Sequence, residues 1–276
     1  MKNKLSLFLS FKQFNLTCFI VLTLNIYSAN SEQMLKMPSD SSTTKEVYLT
    51  DRQLQSILPS PFFTEKGVPL NVGTISIKAA ALPTQGDGKT KMQYNFQLET
   101  GLSKTVGLVF GGKALFYDPT VEESMQFPVI NTMAKFLVLK SENGLNGFSP
   151  FIEFEFPWGR ERTHDVYTLV GFATTLSNSC ISFNQDIHYS PLEDLTKGSA
   201  SLLLKVSKRI FLVSEFSGLT QKGARPIFNL LGGIKIELYK SFLLGFAYQL
   251  PLTDNRDYSS QYIFQPNLVF QNWLSQ

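Results

Sequence analysis

The chain has 276 residues, of which 43% are apolar and 17% charged, against a charged share of about 25% in ordinary soluble domains. With 24 Phe against 2 Trp, this composition excludes disordered and collagen-like chains and leaves room for one large domain or two small ones. The formal charge is +3, but Lys2, Lys4 and Lys12 lie in the first 31 residues, where there is no acid; taking those three from the 25 basic residues leaves 22 basic against 22 acidic.

Residues 1–31 read as a secretory signal. The three lysines precede an apolar stretch from Cys18 to Ile26, and small residues follow at Ser28, Ala29 and Ser31, the order an export signal needs. The apolar stretch is interrupted by Thr23 and Asn25 and is too short to span a membrane as a helix, which takes about 20 residues. With the signal removed, Cys180 is the sole cysteine, so neither an intramolecular disulfide nor a multi-cysteine metal site is available.

Residues 32–68 are polar and irregular, with Pro38, Pro59, Pro61 and a Ser/Asp/Thr run at 39–44. They form a periplasmic leader rather than a domain, and a plug is one role open to them. Thr50 or Asp51 can cap a short helix through Leu54 and Ile57, ended by Pro59, because a side-chain oxygen there accepts from free amide groups.

From about residue 70 the pattern becomes alternation, the period of a strand whose two faces meet different surroundings. Met92, Tyr94, Phe96 and Leu98 oppose Gln93, Asn95, Gln97 and Glu99; Ile152, Phe154, Phe156 and Trp158 oppose Glu153 and Glu155. Twelve such segments are predicted, at 70–80, 90–102, 105–117, 128–140, 147–158, 165–176, 180–189, 199–207, 210–219, 225–238, 241–252 and 261–273. Their lengths suit tilted strands crossing a bilayer core.

Connections after even-numbered strands are short, as at Ser103-Lys104, Lys208-Arg209 and Tyr239-Lys240. Those after odd-numbered strands are generally longer and more polar: Pro83 to Lys89, Asp118 to Phe127, Gly159 to His164, Ser190 to Gly198 and Thr253 to Ser260. An outer-membrane barrel has this asymmetry, with tight periplasmic turns, longer outside loops and both termini in the periplasm. The expected fold is therefore all-β, an antiparallel transmembrane β-barrel of about 12 strands over residues 69–276, in a Gram-negative outer membrane. A soluble sandwich also alternates, but its outward face would be the charged one. Here the charged face is the minority face. Gln185 on an apolar face, Pro266 within the last strand and the ending Trp273-Leu274-Ser275-Gln276 run against the pattern.

With apolar side chains toward lipid, the opposite face sends Glu99, Lys113, Lys135, Glu153, Glu155, Asp186, Lys205, Glu215, Lys235 and Glu237 into the lumen. Charges there must be paired or hydrated, either as a structural network, with pairs such as Lys135 with Glu153, or as a polar constriction that sets what passes. Catalysis has little to work with. His188 and Ser190 are two apart on one strand face and are the one candidate pair for an outer-membrane lipase, and no catalytic residue is assigned. No His, Cys and carboxylate cluster has metal-ligand spacing, no cofactor motif is present, and scattered basic residues give nucleic-acid binding no support. Gly111-Gly112 and Gly232-Gly233 lie inside strands, where they permit bends or close packing against the wall.

Five stretches carry a family resemblance: residues 61–65 (PFFTE), 97–103 (QLETGLS), 151–159 (FIEFEFPWG), 229–233 (NLLGG) and 245–252 (GFAYQLPL). Together they make residues 61 to about 272 similar to the outer-membrane barrels labelled meta-pathway phenol degradation proteins. That resemblance implies uptake of aromatic or other apolar solutes and carries over no ligand residues. The partners expected are outer-membrane lipid and a small solute, through a passive, porin-like channel; the alternative is a closed barrel serving structure or surface interaction.

Overall fold

The computed structural model describes residues 61–86, 89–116, 126–142, 144–157, 166–253 and 259–271. The signal, the leader to residue 60 with its short helix, and the C-terminal Trp273 lie outside the described residues. Among the described residues every regular element is a strand: β1 (Thr74–Gly86), β2 (Lys89–Gly101), β3 (Val106–Phe116), β4 (Gln126–Phe136), β5 (Leu139–Lys140), β6 (Gly147–Pro157), β7 (Tyr167–Ser177), β8 (Ile181–Ser190), β9 (Leu195–Lys205), β10 (Ile210–Gln221), β11 (Ile227–Tyr239), β12 (Phe242–Pro251) and β13 (Ser260–Gln271).

Apart from β4 and β5, chain neighbours pair antiparallel, β13 pairs with β1, and β4 pairs with β6, so the sheet closes and leaves no edge. The two-residue β5 continues β4 along β6. Its register, Leu139 opposite Phe148, is one residue out of step with Lys135 opposite Phe151, so Leu137 and Val138 form a bulge within one stave. The wall therefore has twelve staves.

The alternation sorts faces as expected. Phe96, Phe110, Ile152, Leu212, Tyr262 and Phe270 stand on the outer surface, each at least 42% exposed, a display that only a lipid or protein surround makes favourable. Cross-strand aromatic pairs brace that surface: Phe246 with Phe264 at 5.3 Å and Tyr248 with Tyr262 at 5.1 Å between centroids. Gln185 does point outward, almost fully buried opposite Thr174. Pro266 also points outward, and β13's pairing with β1 lapses between Asn267 and Phe264, where the missing amide breaks the ladder.

Two long connections come out shorter than the sequence suggests. β1 and β2 pair up to Gly86 and Lys89, leaving only 87–88 between them, not 83–89. β8 runs through Ser190 and β9 begins at Leu195, leaving 191–194. Pro83 and Gly198 are read as loop residues from composition, but barrel pairing on both sides overrides that local preference. The remaining connections at this end, 117–125, 158–166, 222–226 and 252–259, are longer than most at the other, where 102–105, 178–180, 206–209 and 240–241 suffice.

Residues before β1 enter from the short-turn end. Val72 bridges Gly101, and residues 61–69 then lie inside the barrel, with Pro61, Phe62, Thr64, Glu65 and Val68 buried.

Candidate functional site

The interior is a polar lumen filled in part by this inner segment. Its backbone could not be buried without partners, since an unpaired amide out of water costs about 1–3 kcal/mol, and the wall supplies them. The Glu215 carboxylate on β10 accepts from the amide of Phe62, from that of Phe63 at 3.0 Å, and from that of Thr64 at 3.2 Å. Asp186 on β8 accepts from the amide of Glu65 at 2.6 Å, and Thr175 on β7 from that of Gly67 at 2.8 Å. The carbonyls are met in turn: Lys235 on β11 donates to Pro61 at 3.0 Å, Gln265 on β13 to Phe62 at 3.0 Å, and Ser149 on β6 to Gly67 at 2.7 Å.

Side chains complete the seat. The Phe62 ring joins an apolar cluster with Leu82, Leu203, Phe211, Leu231 and Ile263, and the Lys235 ammonium sits 4.3 Å from its centroid. Two wall glycines make room for it: a Cβ at Gly233 or Gly245 would come within 2.9 or 2.8 Å of that ring. At Gly67 a Cβ would press to 2.5 Å on the Gly147 carbonyl and 2.6 Å on the Thr174 backbone, so only glycine lets the segment lie flat on the wall. At Gly245 the Phe62 ring is the nearest obstacle, so Gly245→Val is expected to push Phe62 from its seat at about 1–3 kcal/mol, read as faster proteolysis of the inner segment in an otherwise heat-resistant barrel.

The predicted lumen residues all occupy inward positions, but to different depths. Glu99, Lys135, Glu153, Asp186, Glu215 and Lys235 are buried; Glu155, Lys205 and Glu237 are half-buried; Lys113 is exposed and lines the open part of the lumen. Lys135 does not pair with Glu153. It donates to Glu99 at 2.8 Å and to Glu65 of the inner segment at 3.0 Å, because Glu153 stands opposite Met133 rather than Lys135 in the register. Glu153 instead bonds His188 at 2.7 Å and Asn131 at 2.9 Å. Lys78, Lys197, His188 and Glu65 are interior charges beyond the predicted set: Lys78 donates to Gln97 at 3.1 Å and Lys197 pairs with Glu155.

Glu65 is pulled two ways. Burial pushes its carboxyl up, but the Lys135 and then Lys78 charges, with bonds from Lys135 and Gln97, hold it below its ordinary value of 4.5. Burial pushes Lys66 beside it down to about 8, against the pull of Glu99 and with Lys78 and Lys135 adding repulsion. His188 and Ser190 both face inward, yet the two ring nitrogens of His188 are engaged, Nδ1 by Glu153 and Nε2 by Asp186 at 3.4 Å, so neither is placed to accept a proton from Ser190. Among the described residues no group of three or more His, Cys, Asp or Glu is arranged to hold a metal ion.

Beyond the inner segment, toward the longer connections, lies a cavity of about 540 Å³. Phe62, Phe63 and Glu65 form its floor; strand side chains such as Asn95, Glu155, Lys197, Asn229 and Gln261 form its walls.

A closed twelve-stave antiparallel wall, apolar outside and polar within, decides the class. The fold is that of outer-membrane barrels. The KdgM porin superposes with a TM-score of 0.53 at 9% identity over 71% of this chain and 99% of that one. An outer-membrane channel from Pseudomonas putida F1 gives 0.53 and 9% over 77% and 100%, and the NanC porin 0.53 and 4% over 71% and 98%. At these identities the likeness is one of fold, to outer-membrane porins and channels generally; it does not reach the phenol-degradation family that the sequence resembles. No protein-family model and no curated protein sequence matches the chain.

Proposed function

We propose that the chain is a passive outer-membrane channel, exported by a signal in residues 1–31, whose lumen is closed from the periplasmic side by its own inner segment. The observation that carries this reading is the set of side chains on β6, β7, β8, β10, β11 and β13 that bond the backbone of residues 61–67. These bonds satisfy the segment's backbone, the wall's own backbone being satisfied by the ladder, while Thr175 and Asp186 also bond Asn184 and Ser199 of the wall. A segment held by side-chain bonds leaves without breaking a strand. The sequence resemblance points to small apolar or aromatic solutes as cargo.

In planar bilayers the whole protein is expected to show small or rare conductance steps, and deletion of residues 32–66 to raise them several-fold. Absence of steps in both forms would overturn the channel reading and leave a closed structural barrel, which the density of interior bonds also fits.

The charges predict how pH acts. Glu65 is held below 4.5 in the seated segment, so its stabilising contribution is complete above that value and fades as pH falls through its lowered one. Lys66 is held near 8 against an ordinary 10.5, so between those values the released segment binds more protons and seating strengthens as pH rises. Open probability is expected to climb as pH falls below 4.5 and to decline as pH rises from about 8 to 10.5; a flat profile in Glu65→Gln at the acid end identifies the group.

A further inference from the structure

We infer that the cavity above the inner segment is a binding site for a neutral, polyhydroxylated solute of sugar type. This rests on the channel reading in taking the cavity as the outward half of a permeation path, and it puts a polar solute in place of the apolar or aromatic cargo that the sequence resemblance implies. The volume of about 540 Å³ lies within the range of small-molecule sites.

The lining carries four carboxylates, Glu65, Glu153, Glu155 and Asp186, against Lys78, Lys113, Lys197 and His188. Glu155 meets Lys197, Glu153 and Asp186 share His188, and Glu65 meets Lys135. No arginine lines the cavity, so the planar fork that recognises carboxylate or phosphate solutes is missing from the described wall. With signs balanced, neither anions nor cations are drawn in.

What remains is amide. Gln93, Asn95, Asn131, Asn229, Gln249 and Gln261 reach the cavity from β2, β4, β11, β12 and β13. Each primary amide carries two donor hydrogens and an acceptor oxygen, so the single bond from Gln93 to Asn95 at 2.8 Å leaves capacity on both. Hydroxyl groups, which donate and accept alike, match such a wall. An apolar solute would strip these amides of water and return no bond. The half-buried ring of Phe63 on the floor offers an apolar platform to the C–H face of a sugar ring.

The test is calorimetric titration of the full-length protein in detergent with maltose, with sodium benzoate and phenol as comparison solutes, beside conductance of the same preparation. Saturable binding of maltose, weakened tenfold or more in Gln93→Leu/Asn95→Leu and in Gln249→Leu variants that keep the wild-type heat-modified gel shift, supports the inference. Conductance without maltose binding, binding of benzoate or phenol in its place, or maltose binding unchanged in both variants overturns it. Maltose binding in a protein that never conducts upholds the site and overturns the channel.

Discussion

Replacing Glu215 by glutamine is expected to unseat the inner segment and leave the barrel standing. The carboxylate offers two oxygens to three consecutive backbone amides and to the Thr64 hydroxyl at 3.3 Å. Glutamine keeps one accepting oxygen and turns the other position into a donor facing donors. With the oxygen kept at the place that serves Phe63 and Thr64, the Phe62 bond is lost; a hydrogen bond to a charged acceptor contributes about 1.5–3 kcal/mol, about ten- to a hundredfold in the ratio of seated to released segment. Glu215 belongs to the wall, but its oxygens serve the segment, so the strands keep their ladders. The checking measurements are open probability in bilayers, expected to rise steeply, and the gel shift of the barrel on heating, expected to stay. A variant that loses both would mean that the segment is part of the barrel's own stability.

Lys135→Met is expected to have the other large effect, and of a different kind. Lys135 is fully buried and is the shared partner of Glu99 on β2 and Glu65 on the inner segment. Removing it leaves two buried carboxylates without their hydrogen-bonded counter-charge, a loss of about 3–5 kcal/mol by comparison with other buried pairs broken on one side. Here both wall and segment suffer, so the urea midpoint of unfolding is expected to fall and conductance to rise together. Adding Glu99→Gln and Glu65→Gln removes the stranded charges and is expected to restore most of the midpoint. If Lys135→Met alone leaves the midpoint unchanged, the triad does not hold the wall.

The barrel was legible because its signals are local. Period-two alternation, as in Met92 to Glu99, reports the two faces of one strand, and closure follows from repetition. Turn lengths were legible where Gly, Ser or Lys pairs sit between apolar runs. They were misjudged at Pro83 and Gly198, where pairing with neighbours on both sides carries residues of low strand propensity. The interior charges on clearly alternating strands were found the same way. Lys78 escaped because β1, with its three-alanine run, alternates weakly, and Lys197 because Ser190 to Gly198 reads as a loop while β9 begins at Leu195. The partnerships were not legible. Lys135 bonds Glu65 across 70 positions of sequence, and which charge meets which depends on stagger around the barrel, which no single strand encodes. Nor could spacing show that Gly233 and Gly245 hold a phenylalanine from so far upstream.

That inner segment also has an assembly history written in its contacts. It is made before any strand, yet its partners lie up to 203 residues later, at Gln265 on β13. Long-range contacts form late, since the intervening chain must first be ordered. A segment made ahead of every strand thus finds its place only after the strands that hold it. A truncated chain lacking β13 would lack the Gln265 bond and the closing stave, and added protease is expected to cut it within residues 61–69.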